Sequence, residues 1–190
     1  MSSLERDFYC RDPALVARAL LGHTLVRNIG SEILSGVIVE TEAYYGSEDP
    51  ASRAFKGKKN YNTPMFETPG TLFIYMVHGW WLLNISAHRE GEVGAVLIRA
   101  LEPIDGVDMM RLHRGEERLE ALTSGPGKLT RSLDITKKLH GYDIVAGKDI
   151  SVIDGWLNDF DVVSSYRIGV SHDLTEHLRF YVSDNRFVSR

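Results

Sequence analysis

A single cysteine, Cys10, stands in a chain of 190 residues. That excludes an intramolecular disulfide and a four-cysteine zinc site. No run of 18 apolar residues occurs. The nearest, Leu72 to Ile85, is broken by His78, Gly79 and Asn84, so no membrane span is expected. The N-terminus carries Glu5, Arg6, Asp7 and Arg11 where a secretory signal needs an apolar stretch. An intracellular protein is therefore expected, in the cytoplasm or nucleoid if the source is prokaryotic. An excess of positive charge is missing too. Twenty-two basic residues face 26 acidic ones, for a net charge of −4. This argues against a wide electrostatic footprint on nucleic acid but not against a local one. No HExxH, His-x-His, G-x-S-x-G, G-x-G-x-x-G or Walker sequence is present. His172 and His177 lie five apart, the wrong interval for one helical face.

What is present reads as one globular domain, residues 1–190. Hydrophobic residues make up 43% and charged residues 25%, which excludes disordered and fibrous classes. Asp12 is a good N-cap, Pro13 suits the first helical position and Gly22 suits the stop, so Ala14–Gly22 reads as a short helix. Strands are expected at His23–Ile29 and Ile33–Tyr44, then at Thr71–Val77, Trp80–Ser86 and Val93–Leu101. Asp105–His113, Glu116–Leu122 and Gly127–Leu133 read as helices. Ile150–Ile153, Asp161–Val170 and Arg179–Val182 read as strands. Gly46–Gly70 shows no clear element, and a loop of that length is often functional. Strands in the middle with helices at ends and edges predict an α+β fold with a largely antiparallel sheet.

Four features could carry chemistry. The segment 37–44 alternates by two and places Ile38, Glu40, Glu42 and Tyr44 on one face. Two carboxylates and a phenol then project together, either into a site or from the solvated face of an edge strand. Aromatic residues cluster at Tyr44, Tyr45, Phe73, Tyr75, Trp80 and Trp81. Core packing suits Phe73 and Trp81, whereas an aromatic beside polar groups can stack on a planar ligand. His78–Gly79 would form a turn that exposes His78, and Asn84 within an apolar strand needs partners if it is buried. Arg99 sits alone in the apolar run 96–101 and requires a carboxylate from Glu40, Glu42 or Glu102. Positive charge gathers in Arg53–Lys59 and Pro126–Lys138, which hold 8 of the 22 basic residues. Within the second, Ser124–Leu129 opens a helix with Lys128 at hand, a weak signal for phosphate.

The strings VETEAYYGSEDPAS (39–52), MFETPGTLFIY (65–75), LLNIS (82–86), VLIRALEPIDG (96–106), SGPGKL (124–129), RIGV (167–170) and LRFYV (178–182) occur in order. Together they resemble the alkyladenine, or 3-methyladenine, DNA glycosylases of the mammalian type, from about residue 7 to the C-terminus. The resemblance implies a single domain with a curved antiparallel sheet and no metal or organic cofactor. It implies hydrolysis of the N-glycosidic bond of damaged purines flipped out of double-stranded DNA. Position by position, Glu42 would activate water as general base and Arg99 would help hold the water and Glu42. Tyr44 and Tyr75 would wall the flipped base, and Asn84 would line the pocket where a guanine 2-amino group is refused. His78 falls at the wedge position. Lys128 and the Gly169–Val170–Ser171 segment would contact the DNA backbone. A monomer is expected.

Two departures stand out. Arg53 occupies a position where the family commonly has a histidine against the base, and a permanent cation should repel a cationic alkylpurine. His78 replaces a frequent tyrosine and is smaller. Lys59 and Tyr61 stand where Thr and Arg would be expected, so backbone contacts there do not carry over. Two rivals follow. Lys128 as an amine nucleophile would give a lyase, and loss of catalysis through Arg53 would leave a binding module for lesions or nucleic acid.

Overall fold

The computed structural model describes residues 2–155 and 159–189. In chain order it has α1 (Arg6–Tyr9), α2 (Pro13–Ala19), β1 (Thr24–Ile29), β2 (Glu32–Tyr44), β3 (Leu72–Val77), β4 (Trp80–Ser86), β5 (Ala95–Pro103), α3 (Val107–Arg114), α4 (Leu119–Leu122), α5 (Pro126–Ser132), β6 (Ile150–Ile153), β7 (Val162–Ser165) and β8 (Arg179–Val182). The fold is α+β. One curled antiparallel sheet runs β3-β4-β5-β2-β1-β6, with β8 on β2 and β7 on β8.

β2 organises the sheet. Its 13 residues are longer than any neighbour, so one edge serves two partners in turn. β1 pairs with residues 32–37 and β8 with Glu40–Glu42, while β5 covers the other edge. The register against β5 shifts on either side of Glu40. Such an irregularity bends and twists the strand, and re-aims side chains. β2 is thus central, and the alternative of a solvated edge strand falls: Glu40 and Glu42 are 0% exposed.

The apolar core lies where α2 and α5 cover the sheet. Leu20, Leu25, Leu34, Ile38, Ile98 and Leu129 are among its fully buried members. α2 starts as expected, with Asp12 accepting from the amides of Ala14 and Leu15 at 2.9 and 3.4 Å. It is fixed to β2 by the Thr41 hydroxyl, which donates to the Ala17 carbonyl at 2.7 Å.

Two local devices shape the ligand face. His78 (φ 49°) and Gly79 (φ 82°) both lie in the left-handed region, the requirement of a tight two-residue hairpin turn between β3 and β4. His78 is exposed at its tip. Behind the turn, Trp80 packs on Gly127 of α5. A Cβ at 127 would lie 2.7 Å from the Trp80 Cβ, so only glycine allows that approach.

The sequence reading departs from the structure at several boundaries; the helix expected at Glu116–Leu122, for one, spans only Leu119–Leu122. Asp161–Val170 is a strand only over Val162–Ser165. Beyond it the amides of Arg167 and Ile168 donate to the Asp173 and Glu42 carboxylates, at 3.1 and 2.7 Å, and leave the ladder. The 46–70 segment is not structureless either. A 3-10 helix spans Asn60–Phe66. The buried Asn62 side chain secures it, accepting from the Lys59 amide at 2.6 Å and donating to the carbonyls of Arg53 and Gly57 at 2.8 and 3.1 Å.

Candidate active site

β2 and β5 place Glu40, Glu42 and Arg99 in one buried row, with the half-buried Tyr44 at its end. Arg99 Nε donates to Glu40 Oε1 at 2.8 Å, and its Nη1 lies 3.2 Å from Glu42 Oε1. The single arginine of the apolar strand thus finds two of its three expected partners. Glu102 instead accepts from Asn185. Glu40 is the structural anchor. Its Oε1 also takes Arg179 Nε at 2.7 Å and the Ser189 hydroxyl at 2.8 Å, and its Oε2 takes the Ser189 amide at 2.6 Å.

Glu42 is held differently. Oε1 accepts the Ile168 amide at 2.7 Å, and Oε2 accepts the Tyr44 hydroxyl at 2.8 Å. Burial raises its pKa, and nearby Glu40 adds to the rise. Arg99, the Ile168 amide and the Tyr44 hydroxyl oppose it, but the net direction is up. Burial thus makes Glu42 a stronger base than a free glutamate, while the Ile168 and Tyr44 tethers fix its orientation. Arg99 is pulled down by burial but carried above its ordinary value by Glu42 and Glu40, so it stays a cation and a pure donor.

In front of this row lies a cavity of about 570 Å³. Tyr44, Arg53, Tyr75, His78, Arg99, Lys128 and Gly169 all line it, with Trp80 and Ile168. Seven of the residues singled out in the sequence therefore converge on one space. Glu42 is fully buried directly behind Tyr44, Arg99 and Ile168 rather than on the wall. Asn84 lies deeper. Its Nδ2 donates to the Phe73 carbonyl at 3.1 Å, and it borders a recess of about 10 Å³ shared with Tyr44, Arg53 and Tyr75. That is about the space of one water. Ser171 is exposed and outside the lining.

The aromatic walls are braced from behind. Phe73 stacks on Tyr75 with centroids 4.8 Å apart. The Arg53 guanidinium also lies over the Tyr75 ring, 4.8 Å from its centroid. Burial raises the Tyr75 hydroxyl above its ordinary pKa, and Arg53 opposes that rise. Tyr44 is pushed higher still by burial and by the Glu42 charge beneath it, so it is a phenol and not a phenolate.

A family model described as methylpurine-DNA glycosylase matches residues 7–186. The chain belongs to the methylpurine-DNA glycosylase family. A Carboxydothermus hydrogenoformans protein, provisionally named a 3-methyladenine DNA glycosylase, is 41% identical over 98% of both chains. Proteins of the same provisional name from Clostridium perfringens and Rhodopirellula baltica are 40% and 42% identical. The match covers 98% of this chain in both cases, and 98% and 83% of theirs. These relatives are bacterial, so the narrower mammalian-type placement finds no support in them.

Within this glycosylase family frame, the sequence reading missed one group entirely. Arg167 is buried and binds Asp49 through Nη1 and Nη2 at 2.6 and 2.8 Å. It binds Asp173 through Nε and Nη2 at 2.8 and 2.6 Å and the Ala43 carbonyl at 2.9 Å. Its guanidinium carbon sits 4.6 Å from the Tyr44 ring centroid. Burial lowers its pKa, but the two aspartates overcome this and raise it. One arginine thus backs the Tyr44 wall and fixes the chain whose next amide holds Glu42. The only trace in the sequence is Asp49 and Arg167 inside the strings EDPAS and RIGV; their contact spans 118 positions.

Proposed function

We propose that this protein is a monofunctional purine DNA glycosylase. It hydrolyses the N-glycosidic bond of alkylated or deaminated purines, of the 3-methyladenine, 7-methylguanine and hypoxanthine class, flipped from duplex DNA. The observation that carries this reading is Glu42, a buried carboxylate with a raised pKa directly behind a cavity walled by Tyr44 and Tyr75. Base flipping costs a few kcal/mol, and aromatic stacking at about 1–3 kcal/mol per base offsets it. His78, exposed on its two-residue turn, fills the gap left in the duplex. Lys128 and the Gly169 segment contact the backbone and carry no sequence information.

Cleavage passes through an oxocarbenium-like sugar. Glu42 stabilises that charge and takes a proton from the attacking water, while Arg99 orients both by donation. The product is the free base and an abasic site. Alkylation at N3 or N7 makes the purine cationic, so the bond breaks with little acid help, whereas neutral hypoxanthine leaves as an anion that takes a proton from solvent water. Asn84, at the foot of the recess, bounds the slot where a 2-amino group is refused. Because that recess holds only about 10 Å³ here, a base stacking on Tyr75 must displace the Arg53 guanidinium or stack against it.

The test is base release from duplexes carrying one 7-methylguanine or one hypoxanthine, under single-turnover conditions, with abasic sites scored by alkaline cleavage. Wild type should release base and Glu42→Gln should not, with no borohydride-trapped adduct. Release that survives Glu42→Gln, or a trapped adduct at Lys128, would overturn the mechanism. Lesion binding without any release by wild type would favour a damage-binding module whose slot Arg53 has closed.

A further inference from the structure

Beyond the cavity wall, Trp80 carries an arrangement that the glycosylase chemistry does not use. Two guanidiniums approach its indole: Arg114 at 5.7 Å and Arg131 at 5.9 Å from the ring centroid. Arg114 ends α3 and Arg131 lies in α5, so the pair is brought together by helix packing. Arg131 Nε donates to the His113 carbonyl at 3.0 Å. Arg114 Nε is buried and has no hydrogen-bond partner among the described residues. Neither arginine has a carboxylate within ion-pair distance among those residues. Burial and the charge of Arg131 lower the Arg114 pKa, and Glu116 only partly opposes this.

The two like charges repel, so an anion placed beside them is favoured. The surroundings say which ligand. Trp80 and Gly127 line both the main cavity and a second groove of about 450 Å³. That groove also holds Arg131, Thr130, Thr136 and one acid, Asp134. Lys128 faces the main cavity and Arg131, one turn further along α5, faces the groove. A line of positive charge therefore leaves the catalytic cavity past the His78–Gly79 turn and continues around Trp80.

We propose that Arg114 and Arg131 form a second anion site that takes consecutive phosphodiesters of the DNA strand running past the wedge. This rests on the glycosylase reading for the identity of the polyanion. The anion supplies the missing counter-charge, and the indole attracts both guanidiniums by cation–π contact. A protein of net charge −4 gains a local grip in this way without a basic surface overall.

The experiment measures affinity for a short lesion-free duplex by fluorescence anisotropy between about 50 and 200 mM salt. Each phosphate contact adds about 0.9 to the slope of log K against log salt. The Arg114→Gln/Arg131→Gln double variant should lose about 1.8 from the wild-type slope, and each single variant about half of that. Arg114→Lys/Arg131→Lys keeps the charge and should restore most of it. Arg89→Gln, in the loop at the opposite end of β4, should leave the slope unchanged. An unchanged slope in the Gln double variant overturns the site. So does an equal loss in the Lys double variant, which would mean that shape and not charge was removed. Base release by the wild-type protein is scored separately. Its absence would sink the glycosylase reading while leaving the phosphate site to stand or fall on the slopes.

Discussion

The Tyr44 hydroxyl donates to Glu42 Oε2 at 2.8 Å, between two residues on the same face of one strand. In the proposed mechanism, water bound for deprotonation at that oxygen competes with the phenol. The hydroxyl also lowers the basicity that burial confers on Glu42. Tyr44→Phe removes the donor and keeps the stacking ring. The acid limb of the single-turnover rate profile should therefore move to higher pH, with the alkaline plateau within about tenfold of wild type. Tyr44→Ala removes the wall as well and should weaken lesion binding by about 5- to 150-fold, the equivalent of 1–3 kcal/mol of stacking. An acid limb that stays in place in Tyr44→Phe would show that this hydrogen bond does not tune the base.

The raised Glu42 pKa makes a statement about stability. The folded state binds this proton more readily than the unfolded chain, where a glutamate titrates near 4.3. Its contribution is thus fully present below that value and is lost as pH rises through the higher folded pKa. Glu42→Gln lacks this loss. The stability of wild type minus that of Glu42→Gln should fall as pH rises from about 4 through that window. Denaturant unfolding at a series of pH values checks it, and a difference that grows with pH would contradict the direction argued here.

In the proposed reading, Arg53 faces the base slot, where a cationic purine gains nothing from its charge. A cation near a cationic 7-methylguanine costs about 1 kcal/mol even with the dielectric of water between them. Arg53→His should raise the release rate of 7-methylguanine relative to hypoxanthine by about five- to tenfold. Competition between the two lesions in one reaction measures the ratio directly. A ratio unmoved by the substitution would place the guanidinium away from the bound base.

Asp49 is buried, chelates Arg167 and accepts the amides of Tyr45 and Ala51, each at 3.0 Å. Asp49→Asn leaves Arg167 buried with only Asp173 as a charged partner. Breaking a buried pair on one side costs about 3–5 kcal/mol. For a chain of this size that is a fall in Tm of about 6–20 °C. The wall behind Tyr44 loosens at the same time, so base release should fall beyond what the population of folded protein explains. Calorimetry and single-turnover release, compared at a temperature where both proteins are folded, separate the two effects. A Tm within a few degrees of wild type would mean that the network is dispensable.

Local rules in the sequence sufficed for the helix caps, the hairpin turn and most strands, because each depends on neighbours a few residues apart. Asp12–Pro13 starts α2 and His78–Gly79 turns the hairpin where their chemistry requires. Strand periodicity alone set Glu40, Glu42 and Tyr44 on one face, and the solitary Arg99 demanded carboxylates that only a few positions could supply. The ordered strings further marked the family. Tertiary structure decided the rest. β2 became central, not an edge, because β8 returns from the far end of the chain to pair with Glu40–Glu42. Arg167, Asp49 and Asp173 joined across 118 positions, and Arg114 and Arg131 reached Trp80 only when α3 and α5 packed beside the hairpin. Periodicity reports which side of an element a residue faces. It carries no information about which distant element arrives there, and burial, counter-ions and hence the basicity of Glu42 all depend on that arrival.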